Sequence, residues 1–143
     1  MGYLIEQTLI KKLSVVIPEA DVQVMDSTPY TLLQGNGKNV FVPIACTIQI
    51  AANQTTPYTG FTHLHLTNTQ NYGVGNITAS YAINASSGNN LTTGNNLYSM
   101  LCNFQASPNR FGGINANKPL EIFFDAAVTG NGDMIVNLLY YII

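Results

Sequence analysis

Between Lys38 and Ile50 the chain alternates for longer than anywhere else: Val40, Val42, Ile44, Cys46, Ile48 and Ile50 recur at every second position, with Phe41, Pro43, Thr47 and Gln49 among the residues between them. A period of two puts successive side chains on opposite faces of a pleated strand, and a helix cannot keep such a pattern on one side. The stretch is therefore expected to be a strand with one unbroken apolar face. Pro43 has no N–H to give to a ladder, so its position is expected at an edge or at a bulge where the strand bends. Leu13–Ile17, Tyr30–Gln34, Phe61–Thr67 and Ile77–Ile83 repeat the alternation over shorter spans. Leu97–Phe104 is apolar but open between strand and helix, and Ala20–Met25 is open between a strand and one helical turn. With Gly- and Asn-rich turns and no long helical pattern, about eight strands are expected, arranged as an all-β antiparallel β-sandwich of jelly-roll type.

The closing stretch, Asn117 to Ile143, reads as a hairpin turning at Gly130-Asn131-Gly132. Asn-Gly is the strongest short-range hairpin signal because both residues tolerate the positive φ of a type I′ turn. In that register Leu120, Ile122, Phe124, Ala126 and Val128 share a core face with Ile135, Asn137, Leu139, Tyr141 and Ile143. The opposite face would carry Glu121, Phe123 and Asp125 beside Met134, Val136, Leu138, Tyr140 and Ile142, which is too apolar for water. Phe123, Met134, Val136, Leu138, Tyr140 and Ile142 are therefore expected to form an oligomer interface. The run ends at Ile143 with no charged tail, so the terminus is expected to be covered.

A chain of 143 residues has the length of one domain and can bury roughly 68–70% of its unfolded surface. The expected organisation is an N-terminal arm or short helix over 1–12 and a single β-sandwich domain over 13–143. Charged residues are 8% of the chain, against about 25% in an ordinary soluble domain. Asn, Thr, Ser, Gln and Gly take their place, and so neutral a surface does little to keep copies apart. Five Lys and Arg against seven Asp and Glu, a net charge of −2, leave no basic patch for phosphates, which excludes a nucleic-acid partner. No apolar run is long enough to span a bilayer and no secretory pattern is seen, so neither a membrane partner nor export is expected. Cys46 and Cys102 sit in apolar settings and read as buried free thiols, with a disulfide as the alternative.

His63-Leu64-His65 is the only pair that resembles a site. On a strand the two imidazoles share a face with Cα atoms about 6.6–6.8 Å apart, close enough for one metal ion. Jelly-roll cupins use such a pair with further His and Glu ligands, which do not follow here. The site is incomplete unless a carboxylate such as Asp125 or Glu121 arrives from another strand. His63 and His65 are thus metal candidates only, and no metal, no cofactor and no catalytic residue is assigned. Gly35-Asn36-Gly37-Lys38 lacks the Walker spacing and reads as a hairpin turn. Tyr58, Tyr72 and Tyr98, among polar loop residues, would suit a sugar; the loops 51–60 and 85–96 would carry such a site.

The blocks Asn117-Lys118-Pro119-Leu120-Glu121-Ile122, Gly130-Asn131-Gly132-Asp133 and Ile135 to Ile143, with Ile17-Pro18-Glu19-Ala20-Asp21-Val22 and Ser27-Thr28-Pro29-Tyr30, resemble small β-rich virion proteins of tailed bacteriophages. These blocks cover less than half of the chain, and none lies between Ala51 and Ala116. The resemblance implies a jelly-roll head decoration or auxiliary capsid protein, made in the host cytoplasm and located in the virion. It further implies a homo-oligomer, commonly a trimer, whose partners are its own copies and the major capsid protein or other virion proteins. The reading is non-enzymatic. The alternatives are a carbohydrate-binding or host-adsorption module of a phage fibre, with a glycan as partner, and a metal-dependent cupin-like enzyme using His63 and His65.

Overall fold

The computed structural model describes residues 9–39, 41–67, 80–84, 91, 98–101 and 119–142. They form an all-β chain of eight strands and one short helix: β1 (Lys11–Ile17), α1 (Glu19–Val22), β2 (Tyr30–Leu33), β3 (Phe41–Ile50), β4 (His63–Thr67), β5 (Ser80–Asn84), β6 (Tyr98–Leu101), β7 (Leu120–Phe124) and β8 (Met134–Ile142). Two antiparallel sheets of four strands result, with orders β1-β8-β3-β6 and β2-β7-β4-β5. Of the two stretches open in the sequence, the described part of Leu97–Phe104, Tyr98–Leu101, is a strand, and Ala20–Met25 begins within the single helical turn Glu19–Val22.

The sheets meet across one core. From the first come Ile17, Cys46, Ile48, Ile50, Met134, Val136 and Leu138; from the second Leu32, Leu64, Leu66, Leu120, Ile122 and Phe124. At roughly 1.5–3 kcal/mol for each large apolar side chain withdrawn from water, this shared layer is the main force holding the sheets together. Between the sheets Phe124 packs against Phe61 with ring centroids 4.7 Å apart and against Tyr58 at 6.5 Å. Offset and tilted rings suit the aromatic quadrupole better than a face-to-face stack.

The expected closing hairpin does not form. β7 and β8 lie in different sheets, so Gly130-Asn131-Gly132 crosses from one to the other. The reason is tertiary. The Asn131 side chain accepts the N–H groups of Thr55 and Thr56, both at 2.8 Å, and donates to Thr55 Oγ1 at 2.7 Å. Gly130, with φ of 136°, passes so close to the chain that a Cβ would fall 2.6 Å from the Pro57 carbonyl oxygen and 2.7 Å from Tyr58 Cα. Asp133 is held by Asn53 and accepts the backbone N–H of Glu19 at 2.9 Å. A turn residue that binds another loop is no longer free to close a local pair.

Separating the two strands reverses the face assigned to β8. Met134, Val136 and Leu138 are fully buried in the chain's own core, not on an interface. They point inward because β8 is inserted between β1 and β3, where Val15 pairs with Val136, Leu13 with Leu138 and Ile48 with Val136. Tyr140 is half-buried against that core and meets Phe41 edge-on at 6.0 Å, and Ile142, also half-buried, pairs with Phe41. Leu139, expected inside, is 40% exposed. The core face foreseen for Leu120, Ile122 and Phe124 is observed.

Two further expectations change. The register of β3 on β8 slips between Pro43 and Ala45, leaving Ile44 as an extra residue, the bulge that proline's missing donor invites. It splits the expected unbroken face, since Cys46 lies opposite inward Leu138 whereas Val42 lies opposite Tyr141. Gly35-Asn36-Gly37 does turn the chain, with Asn36 Oδ1 accepting the N–H groups of Lys38 and Asn39. It connects strands of different sheets, however, and so is not a hairpin.

Candidate functional site

Among the described residues, the outer face of the second sheet gathers those with the most chemistry. Because Leu64 and Leu66 point into the core, the alternation of β4 sends His63 and His65 outward. The neighbouring strand β7 runs antiparallel, pairing Leu64 with Phe124 and His65 with Phe123. One residue further along, the Asp125 N–H donates to the His63 carbonyl at 3.1 Å, which carries the ladder past the end of β7. Asp125 therefore arrives beside both histidines. A ligand-type atom from each of His63, His65 and Asp125 lies within 4.8 Å of the others.

The contacts within the group are directional. His63 Nδ1 lies 2.9 Å from Asp125 Oδ2, and Asp125 Oδ1 accepts the Thr62 N–H at 2.8 Å. Burial alone would raise the Asp125 pKa, but hydrogen bonds from the His63 and Thr62 backbone and from the His63 ring outweigh it and hold the carboxyl below its ordinary value. The ionised carboxylate can only accept, so His63 Nδ1 carries the proton between them. His65 stacks on Phe123 with centroids 4.9 Å apart and planes 17° from parallel, and its ring is 5.5 Å from that of His63. Burial lowers the His65 pKa, with the Asp125 charge opposing and that of His63 adding to the effect. Burial thus favours the neutral imidazole of His65, the form that offers a lone pair.

Of the two carboxylates considered as a third ligand, Asp125 joins the histidines and Glu121 does not. Glu121 is buried on the same strand, where Thr31 Oγ1 lies 3.4 Å from its carboxylate and Thr67 pairs with it across the sheet. Phe123, expected at an oligomer interface, is 6% exposed and serves as the platform for His65.

The loops expected to suit a sugar fare differently. Tyr58 is fully buried, and its hydroxyl donates to the Gly132 carbonyl at 2.6 Å, so its ring is not available to stack on a ligand. Loop 51–60 is tied down by Asn131 and Asp133. Tyr72, Cys102 and most of loop 85–96 lie outside the described residues; Leu91, the exception, pairs with Tyr58 and is buried. Cys46 is fully buried in the core. Among the described residues no helix is long and apolar enough to cross a membrane. No protein-family model matches the chain, and no curated protein or solved structure matches it either.

Proposed function

We propose that the chain is a non-enzymatic structural protein of a bacteriophage virion, which assembles with copies of itself and with the shell of the head. The observation that carries this reading is the strand order. Sheets ordered β1-β8-β3-β6 and β2-β7-β4-β5 support an eight-stranded jelly-roll sandwich, an architecture found in viral capsid proteins as well as in lectins and cupins. The fold alone does not choose among these. The surface favours assembly: charged residues are 8% of the chain, and Leu9 and Ile10 just before the strand β1, Val16 within it and Leu139 on its neighbour β8 are exposed apolar residues. Among the described residues β1 has one neighbour only, and beyond Lys11 and Lys12 its stretch Leu13–Ile17 carries no charge, so that part of the edge is suited to meeting another chain. The contact between copies is accordingly placed at β1 and the outward residues of β8, in place of Met134, Val136 and Leu138.

The test is whether the protein co-purifies with phage particles in fixed proportion to the capsid subunit. A constant ratio supports the reading, and absence from washed particles overturns it. Light scattering checks self-association separately: a stable monomer at micromolar concentration removes the homo-oligomer.

A further inference from the structure

We propose that His63, His65 and Asp125 form a binding site for a divalent transition-metal ion of the zinc class. The inference does not depend on the assembly reading. Its basis is that two strands far apart in sequence bring three ligand-type side chains to one spot, with their candidate atoms within 4.8 Å of one another.

Each part of the arrangement has the character of a ligand set. Donor atoms around a zinc-sized ion at bond lengths of about 2.0–2.2 Å stand roughly 3–3.5 Å apart. His63 Nδ1 and Asp125 Oδ2, at 2.9 Å, are already near that spacing, and a small change in the His65 and Asp125 side chains closes the third side. The ion takes the place of the proton between His63 Nδ1 and Asp125 Oδ2, and the His63 ring then carries its single proton on Nε2, so it ligates as a neutral imidazole. Two elements hold the set in orientation. The Thr62 N–H fixes Asp125 Oδ1, leaving Oδ2 to the ion, and Phe123 fixes the plane of the His65 ring. Such outer contacts are what align metal ligands in folded proteins.

Two imidazoles and one carboxylate select zinc, nickel or cobalt over calcium and magnesium, which prefer oxygen donors throughout. With side chains of His63 and Asp125 37% and 25% exposed, the ion enters from water and keeps water in its remaining positions. The bound ion cross-links β4 to the end of β7 on the outer face of the second sheet.

The experiment is calorimetric titration of Zn2+ into the full chain after treatment with a chelator, repeated with Asp125→Asn and His65→Phe. Asp125→Asn retains an acceptor for the Thr62 N–H, and His65→Phe retains a ring to stack on Phe123. Circular dichroism and a melting curve in chelator establish that each variant is folded. The wild type should take up one Zn2+ per chain, and each variant should bind about tenfold or more weakly. Uptake well below one ion per chain, or equal affinity in the wild type and both folded variants, overturns the site. If neither variant folds, the wild-type titration decides, because chelated protein that shows no saturable uptake has no such site.

Discussion

The Tyr58 hydroxyl and the Gly132 carbonyl, 74 residues apart, share a 2.6 Å hydrogen bond inside the protein. It joins the loop before β4 to the crossing before β8 and satisfies two polar groups that water does not reach. Replacing Tyr58 with Phe leaves the Gly132 carbonyl without this donor, and a cost of about 1–3 kcal/mol is expected. Urea denaturation of the two proteins measures it.

The same residue predicts an alkaline limit. Burial first, and then the charges of Glu19 and Asp133, push the Tyr58 pKa well above its ordinary value of 10.0. The folded chain therefore keeps this proton longer than the unfolded chain does. Its stabilising contribution is complete below the unfolded value and is lost as pH rises past it towards the folded value, by up to about 1.4 kcal/mol per pH unit. Stability measured above pH 10 should fall less steeply in Tyr58→Phe than in the wild type; parallel curves would contradict the assignment.

Gly130 is expected to tolerate no side chain. Its φ of 136° disfavours any L residue, and a Cβ would be 2.6 Å from a backbone oxygen that cannot move aside cheaply. Gly130→Ala should cost about 2 kcal/mol or more, seen as a lowered melting temperature.

Leu138 and Leu139 are consecutive and opposite in character, the first fully buried and the second 40% exposed. Leu138→Ala should cost about 2–5 kcal/mol, whereas Leu139→Ala should remain within about 0.5 kcal/mol. The reverse order in thermal melts would restore the hairpin register that the fold replaces.

Placing assembly at the β1 edge predicts that Val16→Lys and Leu139→Lys together weaken self-association without lowering the melting temperature of the monomer. Sedimentation over a range of concentrations reads the association. An unchanged oligomer would move the contact elsewhere.

Strands were legible in this sequence because period two is local: Leu13–Ile17, Tyr30–Leu33 and His63–Thr67 each show it unaided. Which strand neighbours which was not, because β8 pairs with β1 near the other end of the chain and with β3 in its first half. The alternation in β8 also could not choose a face, since Ile135, Leu139 and Tyr141 are nearly as apolar as Met134, Val136 and Leu138. Pairing with β1 and β3 decided it. Asn131 carried a true turn preference, but Thr55 and Thr56 supplied stronger partners than a hairpin would. At the candidate site the shared face of His63 and His65 was readable from their spacing. The arrival of Asp125, and the exclusion of Glu121, depended on how β7 lies along β4.

The insertion of β8 between β1 and β3 bears on how the molecule is made. A chain emerging from the ribosome presents β1 and β3 long before residues 134–142 exist, so the first sheet waits for its interior strand. Until then both strands have open edges that invite neighbours of the wrong kind. Non-local pairing of this sort also makes folding slow relative to locally connected proteins. Synthesis at high copy number therefore favours cells in which half-made chains are kept apart, and cooling during expression should raise the yield of correctly closed protein.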